Sequence, residues 1–385
     1  MGRCNCRSAF DRRGEIAQLS ERIRRENVLL LAPRRVGKTS LLTRLRDEIE
    51  DTHGFHAVYA TAEGIPDELE FLREICRVVE SHTKPGSAAR AWKRIEGVVR
   101  RADEIDFAAF KVKLSAAEIA SWQSRADELG ELLRPLEGHW FYLIDELPIF
   151  VLRLLDADES GRRARSFLEW FRALRQKLSV PDANHHWLLA GSIGLDTVAS
   201  RNDLSATIND LATQRLGPFT QEIASEFLQK LSVGEGVPLK VGCIEYALEK
   251  IGWLIPFHLQ LLFSKFREIH EQTRRPLGPA DVDVAMESLL AERKDFDGWR
   301  ERLDRELGAT DAAVARAVLT VCARDPAGAT PETLRAMNPV VSAGAEQRLE
   351  FILRALATDG YLVEHAGRMR FQSPLLREFW LQRLP

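Results

Sequence analysis

Residues 28–50 constrain the fold more tightly than any other stretch, because three different patterns meet there without a gap. Val28-Leu29-Leu30-Leu31 is a continuous apolar run suited to a strand buried on both faces of a parallel sheet. Ala32-Pro33-Arg34-Arg35-Val36-Gly37-Lys38-Thr39 follows at once, and Ser40 to Glu50 resumes helical spacing with Leu41, Leu42, Leu45 and Ile49 inward. Strand, loop, helix is the setting that the phosphate-binding pattern G-x-x-x-x-G-K-[ST] requires, and the loop matches it except for Ala32 at the first glycine. Alanine is the smallest replacement and is disfavoured mainly where φ must be positive. The segment Pro33, Arg34, Arg35, Val36, Gly37, Lys38, Thr39 and Ser40 is therefore expected to cradle the phosphates of a nucleotide. Backbone N–H groups and the helix N-terminus attract the anion, Lys38 adds a point charge near the β and γ oxygens, and Thr39 offers a hydroxyl to Mg²⁺.

A second strand, Phe141-Tyr142-Leu143-Ile144, ends in Asp145 and Glu146. In a doubly wound sheet, functional groups collect at the carboxyl ends of strands, which brings Asp145 to the loop. Asp145 is expected to hold the metal shell with Thr39, and Glu146 to orient or deprotonate the water that attacks the γ-phosphate. Trp187–Ala190 reads as a third strand, closed by Gly191-Ser192; Ser192 is expected either to touch the γ-phosphate or to cap the following helix. Phe55–Thr61 and Phe110–Leu114 read as further strands. The expected fold is α/β, a P-loop NTPase core on a parallel sheet.

Composition narrows the class. A chain of 385 residues, 45% hydrophobic and 29% charged, has material for two or three domains with real cores. The net charge of -3 offers no global attraction for nucleic acid. Five cysteines without metal-ligand spacing suit reduced thiols, and the lone Cys4-x-Cys6 is not read as a metal site. No segment approaches the roughly 20 apolar residues that span a bilayer, and Cys6 stands where a myristoylation signal after Gly2 needs Ser or Thr. A cytoplasmic protein without a membrane partner is expected.

From Gly308 onward the pattern changes. Ala312–Cys322, Thr330–Met337 and Ala345–Thr358 read as helices, the second opened by Thr330-Pro331-Glu332. Tyr361–Glu364 and Met369–Gln372 flank a turn at His365–Arg368, and a last helix starts at Pro374. Three helices and a hairpin predict a winged helix, which would make Arg348, Arg354, Arg368 and Arg370 candidate DNA contacts. Nine Arg and Lys against eight Asp and Glu over 308–385 favour a protein-facing or internal role over DNA.

Taken together, these segments resemble the prokaryotic, archaeal-type P-loop ATPases related to STAND and AAA+ proteins. The resemblance rests on Pro33-Arg34-Arg35-x-Gly37-Lys38-Thr39-Ser40, the Asp145-Glu146 strand, Gly191-Ser192, a loose match at Phe10, Arg13, Glu15 and Leu19, Leu216-Gly217-Pro218-Phe219, and the Gly252–Leu259 segment. It implies ATP with Mg²⁺, a core over 1–219, a helical lid over 220–305 and a winged helix over 306–385. It also implies a sensor arginine, for which Arg201 and Arg215 are the candidates. The expected function is a slow ATPase that acts as a switch on an unidentified protein partner. The alternatives are a DNA-associated ATPase and a nucleotide-stabilised scaffold without turnover.

Overall fold

The computed structural model describes residues 12–82, 116–180, 184–191, 194–292, 294–337 and 345–383. The N-terminal half alternates helix and strand: α1 (Arg13–Ile23), β1 (Val28–Leu31), α2 (Lys38–His53), β2 (His56–Thr61), α3 (Glu68–Glu80), α4 (Ala116–Leu133), β3 (Trp140–Asp145), α5 (Leu147–Ala157), α6 (Arg162–Leu178), β4 (His185–Gly191), α7 (Leu195–Arg201) and β5 (Ala212–Arg215). The five strands form one parallel sheet in the order β2-β3-β4-β1-β5. The expected strand at Phe110–Leu114 lies outside the described residues.

Strand alternation divides the apolar side chains between two layers. Val28, Leu30, Phe141, Leu143, Leu188 and Ala190 face α1 and α2. Leu29, Leu31, Tyr142, Ile144, Trp187 and Leu189 face the opposite cluster, which contains residues of α3 to α7. In that layer Phe71, Phe150, Phe167 and Phe171 interlock, largely edge to face, with centroids 5.0–5.7 Å apart. Fully burying each phenylalanine side chain contributes roughly 1.5–3 kcal/mol of transfer free energy.

β5 is a strand that apolar patterning misses, because Ala212-Thr213-Gln214-Arg215 alternates half-buried with exposed positions. Its place is set by neighbours instead. Asn27 accepts from Trp187 N (2.9 Å) and Ser179 Oγ (3.1 Å) while its carbonyl accepts from Ala212 N (2.8 Å), so one buried residue registers β4 and β5 on either side of β1. Fully buried Arg175 holds the preceding loop with a bidentate pair to Asp210 (2.9 and 3.0 Å) and a bond to Thr207 O.

Beyond the sheet, α8 (Gln221–Glu235), α9 (Cys243–Ile251), α10 (Pro256–Thr273) and α11 (Pro279–Ala291) enclose their own cluster, centred on Leu228, Leu248, Leu262, Phe266 and Val282. α12 (Lys294–Arg324) then runs on, broken at Gly308, whose φ of 73° and ψ of 160° are not helical. α13 (Pro331–Arg335), α14 (Ala345–Thr358), the antiparallel hairpin β6 (Leu362–His365) and β7 (Arg368–Phe371), and α15 (Pro374–Leu381) complete the chain. The hairpin turns through Ala366 (φ 51°) and Gly367 (φ 72°), the left-handed pair that suits the twist of two short strands. This C-terminal unit and the α1–α2 face of the sheet share one continuous apolar cluster.

Candidate functional site

The loop after β1 owes its shape to backbone conformation. Arg35 (φ 64°) and Gly37 (φ 92°) are left-handed, and Gly37 is the residue before the first turn of α2. A side chain at Gly37 would meet only Pro256 Cγ at 3.8 Å, so it is the positive φ that calls for glycine there. Ala32 is buried and does not have a positive φ, which explains why alanine is accepted in place of the first glycine.

The loop and the end of β3 meet. Lys38 Nζ lies 2.8 Å from Glu146 Oε1 and 3.0 Å from Asp145 Oδ1. Thr39 Oγ1 donates to Asp145 Oδ2 at 2.9 Å. Glu146 has a left-handed backbone (φ 57°) at the start of α5, and its own N–H donates to Asp145 Oδ1 at 2.9 Å. Lys38 is 7% exposed and Asp145 2%. Each buried ion on its own would cost several kcal/mol, so the pairing is what permits this burial. Two pairs of neighbouring residues, more than a hundred positions apart in the chain, are thus joined in one network.

Tyr59, which nothing in the local sequence flags, joins the same network, donating from its hydroxyl to Asp145 Oδ2 at 3.3 Å. Burial and the adjacent carboxylate of Asp145 push its phenol well above the ordinary value, so it remains a proton donor. The oxygen-only set of Thr39 hydroxyl and Asp145 carboxylate suits a hard divalent cation such as Mg²⁺. Ser192 lies outside the described residues.

The remaining loop residues face the rest of the molecule. Arg35 stacks over Phe257 of α10 (3.8 Å to the centroid), with Trp299 of α12 at 6.0 Å. Arg34 is half-buried and Ser40 exposed. Pro33 lies beside Gly360, where an added Cβ would sit 3.1 Å from Pro33 Cβ and 2.4 Å from Trp253 Cη2. At the N-terminal end, Arg12 rather than the exposed Arg13 is the buried arginine: it donates to Val36 O and Gly217 O at 3.0 Å and stacks on Phe219 at 4.6 Å. It ties the loop to the segment that leads into α8.

Of the two candidate sensor arginines, Arg201 closes α7 and pairs with Asp311 of α12 (2.7 Å) while its guanidinium lies over Phe351 of α14 (4.8 Å). Arg215 ends β5 and is exposed. Gly194, just beyond β4, packs against α14 so closely that an added Cβ would fall 2.9 Å from Thr358 Cγ2. His258, fully buried against Trp253, has its imidazole pushed down to about 3 by desolvation and stays neutral.

No protein-family model matches this chain, and no curated protein matches it. Solved structures do. The Walker-type ATPase of Pyrococcus abyssi superposes with a TM-score of 0.60 at 18% identity, covering 97% of this chain and 96% of that one. The ORC2 protein of Aeropyrum pernix, solved as ADPNP–ADP complexes, superposes with a TM-score of 0.56 at 13% identity over 97% and 94%. The likeness to these ATPase structures is one of fold, an α/β P-loop core with a five-stranded parallel sheet and its surrounding helices. Among the described residues no helix is long and apolar enough to cross a membrane, and no group of three or more His, Cys, Asp and Glu is placed to hold a metal.

Proposed function

We propose that this chain binds ATP with Mg²⁺ on Pro33–Ser40 and hydrolyses it slowly, as a conformational switch acting on a protein partner. The observation that carries the reading is the convergence of Lys38, Thr39, Asp145 and Glu146 at the end of one strand and the start of one helix. The ADPNP–ADP complexes of the structurally similar ORC2 protein agree with it.

Lys38 is the pivot. Its ammonium bridges both carboxylates, and a triphosphate arriving at the loop competes for it with a larger negative charge. When Lys38 turns to the phosphates, Glu146 is released to accept a proton from the attacking water, and Asp145 becomes available to the metal shell. Bound Mg²⁺ supplies charge neutralisation at the phosphoryl oxygens. Thr39 and Asp145 are its holders.

The rest of the chain would report the state of this site. In this reading 1–219 is the core, 220–305 the lid and 306–385 a winged helix, with Gly308 as the joint between the last two. The C-terminal unit touches both the loop, through Gly360 beside Pro33 and Trp253, and the end of β4, through Thr358 beside Gly194. Tyr361 Oη also donates to Trp299 O at 2.5 Å, and Trp299 flanks Arg35. An internal role is favoured over DNA binding because three of the four candidate arginines are engaged: Arg348 with Asp311, Arg354 with Glu350, and Arg368 with Asp325. Exposed positions of α14 include Glu346 and Glu350.

Turnover of ATP by wild type and Glu146→Gln tests the reading. Slow Mg²⁺-dependent turnover in wild type, lost in the variant with ADPNP affinity retained, is the expected outcome. Equal loss of binding in Glu146→Gln would contradict the assigned role, and duplex DNA binding with a steep salt dependence would replace the partner reading by the DNA one.

A further inference from the structure

Asp145 has three hydrogen-bond donors and one ion-pair partner, and they differ in how firmly they are anchored. Oδ2 accepts from Thr39 Oγ1 (2.9 Å) and Tyr59 Oη (3.3 Å); Oδ1 accepts from Glu146 N (2.9 Å) and is ion-paired with Lys38 Nζ (3.0 Å). An ionised carboxylate has about four acceptor positions, so three are taken by hydrogen bonds here and the Lys38 ammonium stands beside Oδ1. Thr39 is fixed in the first turn of α2, the Glu146 amide is backbone, and Tyr59 stands in β2 paired with Leu143, two residues before Asp145 on the adjoining strand. Lys38 alone reaches the carboxylate on a flexible stem.

We infer that Tyr59 is a positioning residue for the metal: with Thr39 it caps Oδ2, so that Oδ1, the oxygen Lys38 can vacate, is the one presented to the divalent cation's shell. The inference rests on the proposed Mg²⁺·ATP site and adds the residue that determines which carboxylate oxygen serves it. Thr39 can keep its place there, because its hydroxyl donates its proton to Oδ2 and still has lone pairs for a cation. Without the phenol, the carboxylate has one unclaimed acceptor position and freedom to rotate. It would then tolerate larger, less geometrically demanding ions better and hold Mg²⁺ less well.

The test is ADPNP binding to the full chain by calorimetry, without metal and across Mg²⁺ and Ca²⁺ titrations, for wild type, Tyr59→Phe and Asp145→Asn. Tyr59→Phe keeps the ring in the sheet, and its metal-free ADPNP affinity is expected to stay within about twofold of wild type. Its half-saturating Mg²⁺ concentration is expected to rise about tenfold, the usual effect of removing an outer-shell partner, with the Mg²⁺ over Ca²⁺ preference narrowed. A purely structural role for the ring would not separate metal dependence from metal-free affinity. An unchanged Mg²⁺ dependence in Tyr59→Phe, with a raised one in Asp145→Asn, overturns the inference and leaves the site assignment standing. Unchanged Mg²⁺ dependence in both variants, or none in wild type, overturns the inference together with the metal assignment it rests on.

Discussion

Gly360 is where the C-terminal unit meets the loop after β1, and replacing it by alanine should be costly for two separable reasons. Its φ is +81°, a left-handed conformation that costs an L-residue roughly 1–2 kcal/mol. The new methyl would also lie 2.4 and 2.9 Å from the Trp253 indole and 3.1 Å from Pro33 Cβ. Trp253 is buried and wedged between His258 (5.6 Å) and Trp299 (6.4 Å), so it has little room to yield. Overpacking of this kind adds about 1–3 kcal/mol, for a total near 3 kcal/mol. Gly367 supplies the control: its φ of +72° carries the same backbone cost, but nothing lies within 4 Å of an added Cβ. Urea unfolding should therefore show Gly367→Ala losing about 1 kcal/mol and Gly360→Ala about 2 kcal/mol more. Because the clash falls on Pro33 and Trp253, Gly360→Ala should also weaken ADPNP binding, whereas Gly367→Ala should not. Equal destabilisation by the two variants would refute a tight junction at this point.

Two other outcomes are expected. Asp311, 8% exposed, holds Arg201 (2.7 Å) and Arg348 (2.5 Å) together, so Asp311→Ala should cost about 2 kcal/mol by leaving two guanidinium groups facing each other. Arg201→Ala, at a 42% exposed side chain whose partner keeps Arg348, should cost under about 1 kcal/mol; the reverse ranking in thermal unfolding would contradict this. Desolvation pushes His185 down to about 4 from an unfolded value near 6.5, so only the unfolded state takes up a proton between these limits. The associated stability is fully present above about pH 6.5 and declines toward pH 4, by up to about 3 kcal/mol for this group, with His186 acting in the same direction. Stability that stays flat or rises from pH 7 to pH 5 in urea titrations would contradict neutral burial of these imidazoles.

What the sequence discloses here is what local pattern can encode. The run Val28–Leu31, the glycine and lysine of the loop and the carboxylates after Ile144 each lie within a few residues, and the structure joins them. The helix and hairpin order after Gly308 was legible for the same reason, since its periods and turn residues are contiguous. The groups that connect distant segments left no such trace. β5 has no apolar alternation because it lies at the sheet edge, where Arg22 donates to Thr213 O and Gln214 Oε1 from α1. Arg12 reads as one charge in an arginine-rich N-terminal stretch until its 3.0 Å bonds to Val36 O and Gly217 O are seen. Tyr59 is indistinguishable from a packing residue in its own strand, and only the β2–β3 register brings its hydroxyl to Asp145.

The central claim is that Lys38 exchanges two carboxylates for the phosphates of a nucleotide, and calorimetric titration of ADPNP into wild type and Lys38→Ala tests it most directly. ADPNP binding to wild type should strengthen with Mg²⁺, and Lys38→Ala should lose at least about tenfold in affinity. ADPNP binding of equal strength in both proteins, or none in wild type, would contradict it.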